Sequence, residues 1–473
     1  MKTTVISAGL MVLAIGWHAS GAVETHGRGG GLSPYRDVAS SPAVDENTGA
    51  VFIGTQGITA AGHVTGDGRV LMLDGSTGAV AHSVTVRHFP WAIITDAADN
   101  RVMVGAAGCP QRGGACPSEA PTVSVLDARA GAVVRTVGGV ELTPLHSGSL
   151  LVAKPTPRVL VLGCDKDGVR ALDVMNGRLL NSTALQGCAT AAVADESVGR
   201  VIVGSGVVNL QTFAMTSMVS FVRVSDGKVL HTESIYQFLN PAVIDERRHR
   251  AFFLGTIPRG EIHGQPTIRV VDTRTGAMLQ IVTLGFQSQP FVLAVDSRAG
   301  RVFIDSGGGD NTVYMLDAAT GQLLRRVVIA ADAGGRILQT LVDEPSGHVL
   351  TMNGATDGIT GSVTMAVLDA KQGTVLHTTR LGVIAGYMAL DGRTERAFIF
   401  SQDNATVSIL DARTGSHLST VSLGKPIVEE SPPDVRVAVD IRTSRVFVIH
   451  HYDGTLSVLD ARTGAVLHTL ALR

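Results

Sequence analysis

The sequence predicts an all-β chain folded as a single β-propeller of about nine four-stranded blades. Three observations carry that prediction: a five-residue element, Asp-x-x-x-Gly, recurring about every 48 residues; a second turn of fixed length ahead of each copy; and short β-branched runs between the turns. A period in this range marks propellers, solenoids and other repeat arrays. No long stretch has the 3.6-residue periodicity that a helical repeat of the same length would need.

The five-residue element occurs at Asp74–Gly78, Asp127–Gly131, Asp173–Gly177, Asp272–Gly276, Asp317–Gly321, Asp369–Gly373, Asp411–Gly415 and Asp460–Gly464. A ninth copy ends at Gly227, with Arg223 in the Asp position. The other turn runs five positions from an Asp to the residue opening a Val-rich strand, as from Asp440 to Arg445 and from Asp296 to Arg301; the third unit has Ala153 in place of the acid. An Asp side chain can accept a hydrogen bond from an N–H two residues on, and Gly tolerates positive φ, so both elements read as tight turns. Runs such as Val446-Phe-Val-Ile and Leu456-Ser-Val-Leu supply the strands. Each unit is then a meander of strands A to D that cannot bury its two faces alone, and units must stack. A degenerate third or fourth unit would lower the count to eight.

Residues 1–22 differ from the rest. Lys2, the thirteen-residue apolar run from Val5 to Trp17 and the small residues Ser20-Gly-Ala22 read as a secretory signal peptide cleaved near Ala22. The run is too short for a membrane span, so no stable membrane anchor is expected. Residues 23–37, with Gly27 and Gly29 to Gly31, read as a flexible leader, and 38–473 as the propeller domain. The expectation is an exported, periplasmic or secreted protein, monomeric. The net charge of −2 and the lack of a basic run offer nothing to nucleic acid.

In a meander, the A–B and C–D turns share one side of the disk, and the B–C and D–A connections share the other. The first pair never varies in length, whereas the span from strand B to the end of strand C ranges from 15 to 26 residues. Length tolerance confined to one side marks it as the candidate binding face. Cys109, Cys116, Cys164 and Cys188 all map there, and in an exported chain they pair best as disulfides Cys109–Cys116 and Cys164–Cys188. A metal site is the rival reading, but no C-x2-C spacing supports it. On the same face lie His63, His88, His146, His263, His450 and His451, with Trp91 beside Phe89-Pro90; these are the candidate ligand-binding residues. His82, His231, His377 and His468, each four residues past the turn Gly, belong on strand D at the outer edge. Asp67-Gly68, Asp167-Gly168 and Asp453-Gly454 read as hairpin turns, since none sits in an alternating set of oxygen ligands. No G-x-S-x-G or H-E-x-x-H occurs, so catalysis is not declared locally.

The unit RVFVIHHYDGTLSVLDARTGAVLHTL, preceded by VRVAVD, resembles the YVTN-type (YncE-like) propeller repeat. That resemblance implies an exported bacterial propeller of binding or surface type. The unit is also similar to the pyrroloquinoline-quinone repeat, A-L-D-A-x-T-G-x-x-x-W, but the Trp position holds His82, Arg135, Asn181, His231, Gln280, Arg325, His377, Ser419 and His468. Propeller lactonases share the expected shape, without a matching acid cluster here. The functional expectation is a non-catalytic propeller, without cofactor or metal, that binds a protein or small molecule through its variable face. The alternative is a propeller enzyme, a hydrolase (lactonase) or oxidoreductase, with a metal or cofactor over the central channel.

Overall fold

The computed structural model describes residues 42–58, 64–107, 121–138, 150–153, 158–163, 168–208, 215–235, 238–259, 261–284, 293–305, 311–329, 335–355, 363–381, 385–401, 404–424, 436–450 and 454–472. Thirty-six strands form nine antiparallel sheets of four, each built from strands consecutive in the chain. The third and fourth units, where degeneracy was expected, are complete blades spanning Leu150–Thr183 and Cys188–Ile235. Besides strands, the described residues contain one short 3-10 turn, Glu196–Val198, and no helix long and apolar enough to cross a membrane.

There is no single core. Nine apolar clusters fill nine interfaces, one between each pair of neighbouring blades. Strand B of blade nine, Arg445–His450, shows how the sequence achieves this: Val446 and Val448 pack against blade eight, while Phe447 and Ile449 pack against blade one. Alternate side chains of a strand point to opposite faces, and here both faces are dry, so the run is apolar throughout. Strand A lines the centre, and the inner strands of blades one and nine touch, closing the ring by packing without exchange of a strand. Strand D is the rim, where His82, His231, His377 and His468 are exposed.

The fixed turn lengths have a physical cause. In eight blades, the N–H of the residue after the C–D turn Asp (Arg223 in blade four) donates to the carbonyl of the residue just before strand B, as from Ala461 to Ser444 at 2.8 Å and from Ala318 to Gly300 at 3.0 Å. The first residue of strand B adds an ion pair to the same Asp in five blades, for example Arg445–Asp460 at 2.8 Å and Arg250–Asp272 at 2.6 Å. Inserting one residue in either turn would break both links. The turns thus hold each other in register, and the side of the disk that carries them cannot drift.

Candidate binding face

On the opposite side, several long connections turn out to be strands. In blade five, strand B (Arg250–Arg259) and strand C (Glu261–Asp272) continue almost to their joining residue. Blades one (Ala50–Ile58 and Val64–Asp74) and four (Arg200–Val208 and Met215–Arg223) are extended in the same way. Blade six has a strand B of only 5 residues, against 10 in blade five. At about 3.3 Å per residue, the difference lifts the hairpin roughly 15 Å above the disk.

The sequence-predicted site residues distribute as follows. His63, His146 and His451 lie outside the described residues, as do Cys109, Cys116 and Cys164. His263 sits on the projecting hairpin of blade five, within a three-residue stretch opposing a single residue of strand B. His450 ends strand B of blade nine, opposite Thr455. His88, expected among surface loops, is instead buried, at 4% exposure with φ of 67°. It is the one-residue link between strand D of blade one (Val80–Arg87) and strand A of blade two (Phe89–Asp96), too short a link to lift a side chain into solvent. Asp67-Gly68 is likewise not a turn: it lies inside strand C of blade one, where the Gly68 N–H donates to the His88 carbonyl at 3.0 Å. A side chain at Gly68 would overlap Pro90, which accounts for the glycine. Cys188 opens strand A of blade four opposite Gly206, and among the described residues no cysteine is free.

Trp91 has a distinctive backbone position. It is the extra residue of a β-bulge in strand A of blade two, unpaired between Pro90 opposite Ala106 and Ala92 opposite Gly105. No sequence signal marks such a site. The described residues bring together no group of three His, Cys, Asp or Glu that could hold a metal.

On the turn side, sequence reasoning missed a polar cluster across the seam of blades four and five. His249 Nδ1 lies 2.9 Å from Asp195 Oδ2, which also accepts from Thr273 Oγ1, while Ser197 Oγ donates to Asp195 Oδ1 at 2.6 Å. Burial pushes the Asp195 carboxyl up, but the hydrogen bonds from Ser197, Thr273 and His249 outweigh it, and the group sits below its ordinary value. Beside it Glu246, which accepts from the Glu196 N–H at 3.3 Å, is raised by burial and by the charges of Glu196 and Asp195. The cluster is a structural joint between blades: its named partners belong to the A–B turns of blades four and five and the C–D turn of blade five, which meet there.

A family model described as outer membrane protein assembly factor BamB matches residues 38–249 and 264–472. No curated protein matches the chain in sequence. Among solved structures, a eukaryotic initiation factor is similar at 10% identity and TM-score 0.58, over 85% of this chain and 92% of that one. Dihydro-heme d1 dehydrogenase NirN, solved in complex with DHE, is similar at 14% identity and TM-score 0.51, over 86% and 76%. BamB from Moraxella catarrhalis aligns at 15% identity and TM-score 0.44, over 76% and 93%. The solved structures show the shared propeller fold alone.

Proposed function

Because this chain belongs to the propeller family described as outer membrane protein assembly factor BamB, we propose that it is an exported, non-catalytic binding propeller that holds a protein partner on its hairpin-bearing face. The family match covers nearly all the blades, and it falls on the quinone-type repeat. The chain departs from that repeat, however. The nine Trp positions of that repeat carry no Trp, and they lie on strand D, exposed or half-buried at the rim, as at His82 and Asn181.

The observation that carries the reading is the set of projecting hairpins. Length variation alone is explained by the locked turns on the other side. Drift would leave irregular loops, whereas blades one, four and five keep a paired backbone far above the disk. Paired strands held clear of the body offer a partner a rigid surface with unoccupied edges. Export by a signal peptide cleaved near Ala22 and the disulfides Cys109–Cys116 and Cys164–Cys188 are part of the same proposal, as are a monomeric state and a contribution of His263, His450 and Trp91 to the face.

Photo-crosslinking tests it. A crosslinking residue in place of Glu261, on the hairpin of blade five, is expected to give a discrete adduct in the cell envelope, and one in place of Arg413, on the turn side, none. Adducts from Arg413 alone would overturn the assignment. A stoichiometric metal or a visible chromophore in the purified protein would replace it with the enzyme reading.

A further inference from the structure

Trp91 is one of a set. Strand A is described at least five residues above its turn Asp in blades two (Phe89–Asp96), four (Cys188–Asp195), five (Phe238–Asp245), seven (Gly335–Asp343) and eight (Ala385–Asp391). In all five, its ladder to strand B slips by one residue at the same height. The extra residue is Trp91, Thr190, Leu338 or Gly386, and in blade five Asn240-Pro241 oppose Leu254 alone. A bulge interrupts the ladder, bends its strand and recurs beside binding sites. Five bulges at one level make a ring around the channel, on its hairpin side.

In these five blades the wall between the ring and the turns is uncharged: Ala92-Ile-Ile-Thr95, Ala191-Ala-Val-Ala194, Pro241-Ala-Val-Ile244, Gln339-Thr-Leu-Val342 and Tyr387-Met-Ala-Leu390; among the described strands A, the charges near this height are Arg436 in blade nine and Arg336, two residues above the bulge of blade seven. Strand A is an edge strand, so its channel-side backbone groups need partners. Below the ring, neighbouring blades supply them. Thr95 Oγ1 donates to the Val44 carbonyl at 2.9 Å, and the Gln339 amide takes both the N–H (2.7 Å) and the carbonyl (2.9 Å) of Met388. At ring height stand buried hydroxyls without a partner, Ser205 and Ser401, each opposite the alanine just ahead of a bulge. A buried hydroxyl left without a partner is destabilising, and both of these stand beside the point where the ladder slips.

We propose that the ring of bulges is the floor of a pocket at the hairpin-side mouth of the channel, accepting an uncharged, extended peptide segment. Strand edges whose walls are uncharged in these five blades suit a peptide backbone, whose own donors and acceptors are neutral, and disfavour a charged side chain that would be desolvated against them. The inference rests on the proposed function for the identity of the binding face and narrows what enters it.

The sequence holds two Trp, so Trp17→Phe leaves Trp91 as the sole indole of the full chain. Titrating that protein with the capped peptide acetyl-Thr-Val-Gln-Val-Thr-amide is expected to change Trp91 emission saturably, while peptides with Lys or Asp in place of Gln bind at least tenfold more weakly. Gly386→Val, with its folding checked by circular dichroism, is expected to weaken the neutral peptide tenfold or more. No saturable response, equal binding of the charged peptides, or an unchanged affinity in a folded Gly386→Val protein each overturns the pocket. The hairpin crosslink would survive any of these outcomes, so the two readings fail separately.

Discussion

The carboxylates of this protein divide by the sign of their response to acid. At Asp460 and Asp317, burial is outweighed by the N–H groups of the turn and by Arg445 or Arg301, and the carboxyl lies below its ordinary value. Asp195 behaves likewise at its seam. A depressed acid stabilises the fold above its unfolded value, near 3.8, and loses that contribution as pH falls through the folded value. Thermal scans are therefore expected to show a melting temperature that drops steeply below about pH 4, and less steeply in Asp195→Asn, which is also destabilised at pH 7 by about 1–3 kcal/mol. Asp296 and Asp343 run the other way, since burial raises both, with Glu344 adding repulsion at the first and Glu395 at the second. A raised acid favours the protonated fold, so its contribution is lost as pH rises above the unfolded value. Asp296 Oδ2 is buried without a partner, and Asp296→Asn should flatten the stability profile between pH 4 and 7 in urea melts.

At the level of turns and strands, two glycines with the same backbone answer differently to a side chain. Gly464 (φ 78°) ends a C–D turn where a Cβ would strike Ile409 of blade eight; Gly347 (φ 73°) ends an A–B turn with open space around it. Gly464→Ala is expected to cost about 3 kcal/mol and Gly347→Ala about 1, measured as a shift in urea midpoint. Asn100, His249, Glu395 and Ser444 already occupy the second kind of position at φ of 52° to 54°. The difference explains why the Asp-x-x-x-Gly repeat was the loudest signal in the sequence: its glycine is required by the neighbouring blade as well as by its own turn. The extended hairpins were silent for a related reason. Gly and Pro are poor strand formers, yet Pro266 pairs with Thr256 just beyond the last rung to strand D, Thr267 opposite Thr283. The bulges left no trace at all, because an inserted residue in an apolar strand alters register without altering composition. Nor could sequence order show which histidines from separate blades converge.

For the whole ring, the seam between blades nine and one is closed by side chains: Phe447, Ile449, Leu456 and Val458 against Val51, Ile53, Leu71 and Leu73. Since no strand is exchanged, a circular permutant opened between Val328 and Gly335, with the original ends joined by a short linker, is expected to fold with a melting temperature within about 5 °C of the parent. Loss of cooperative melting in that permutant would show that chain order matters beyond packing. Around the turn side, polar links step from one blade to the next at several seams: Asn47 to Asn100, Arg248 to the Ser297 carbonyl, Arg298 to the Pro345 carbonyl and Arg393 to the Arg442 carbonyl. The Arg442 guanidinium then lies against Gly49 of blade one, across the very joint the polypeptide does not cross. The disk is in this respect a split washer whose gap is fastened by a clasp at one rim. Parting the two lips there would break no sheet and strain no covalent connection, which sets this joint apart from the eight that the polypeptide crosses.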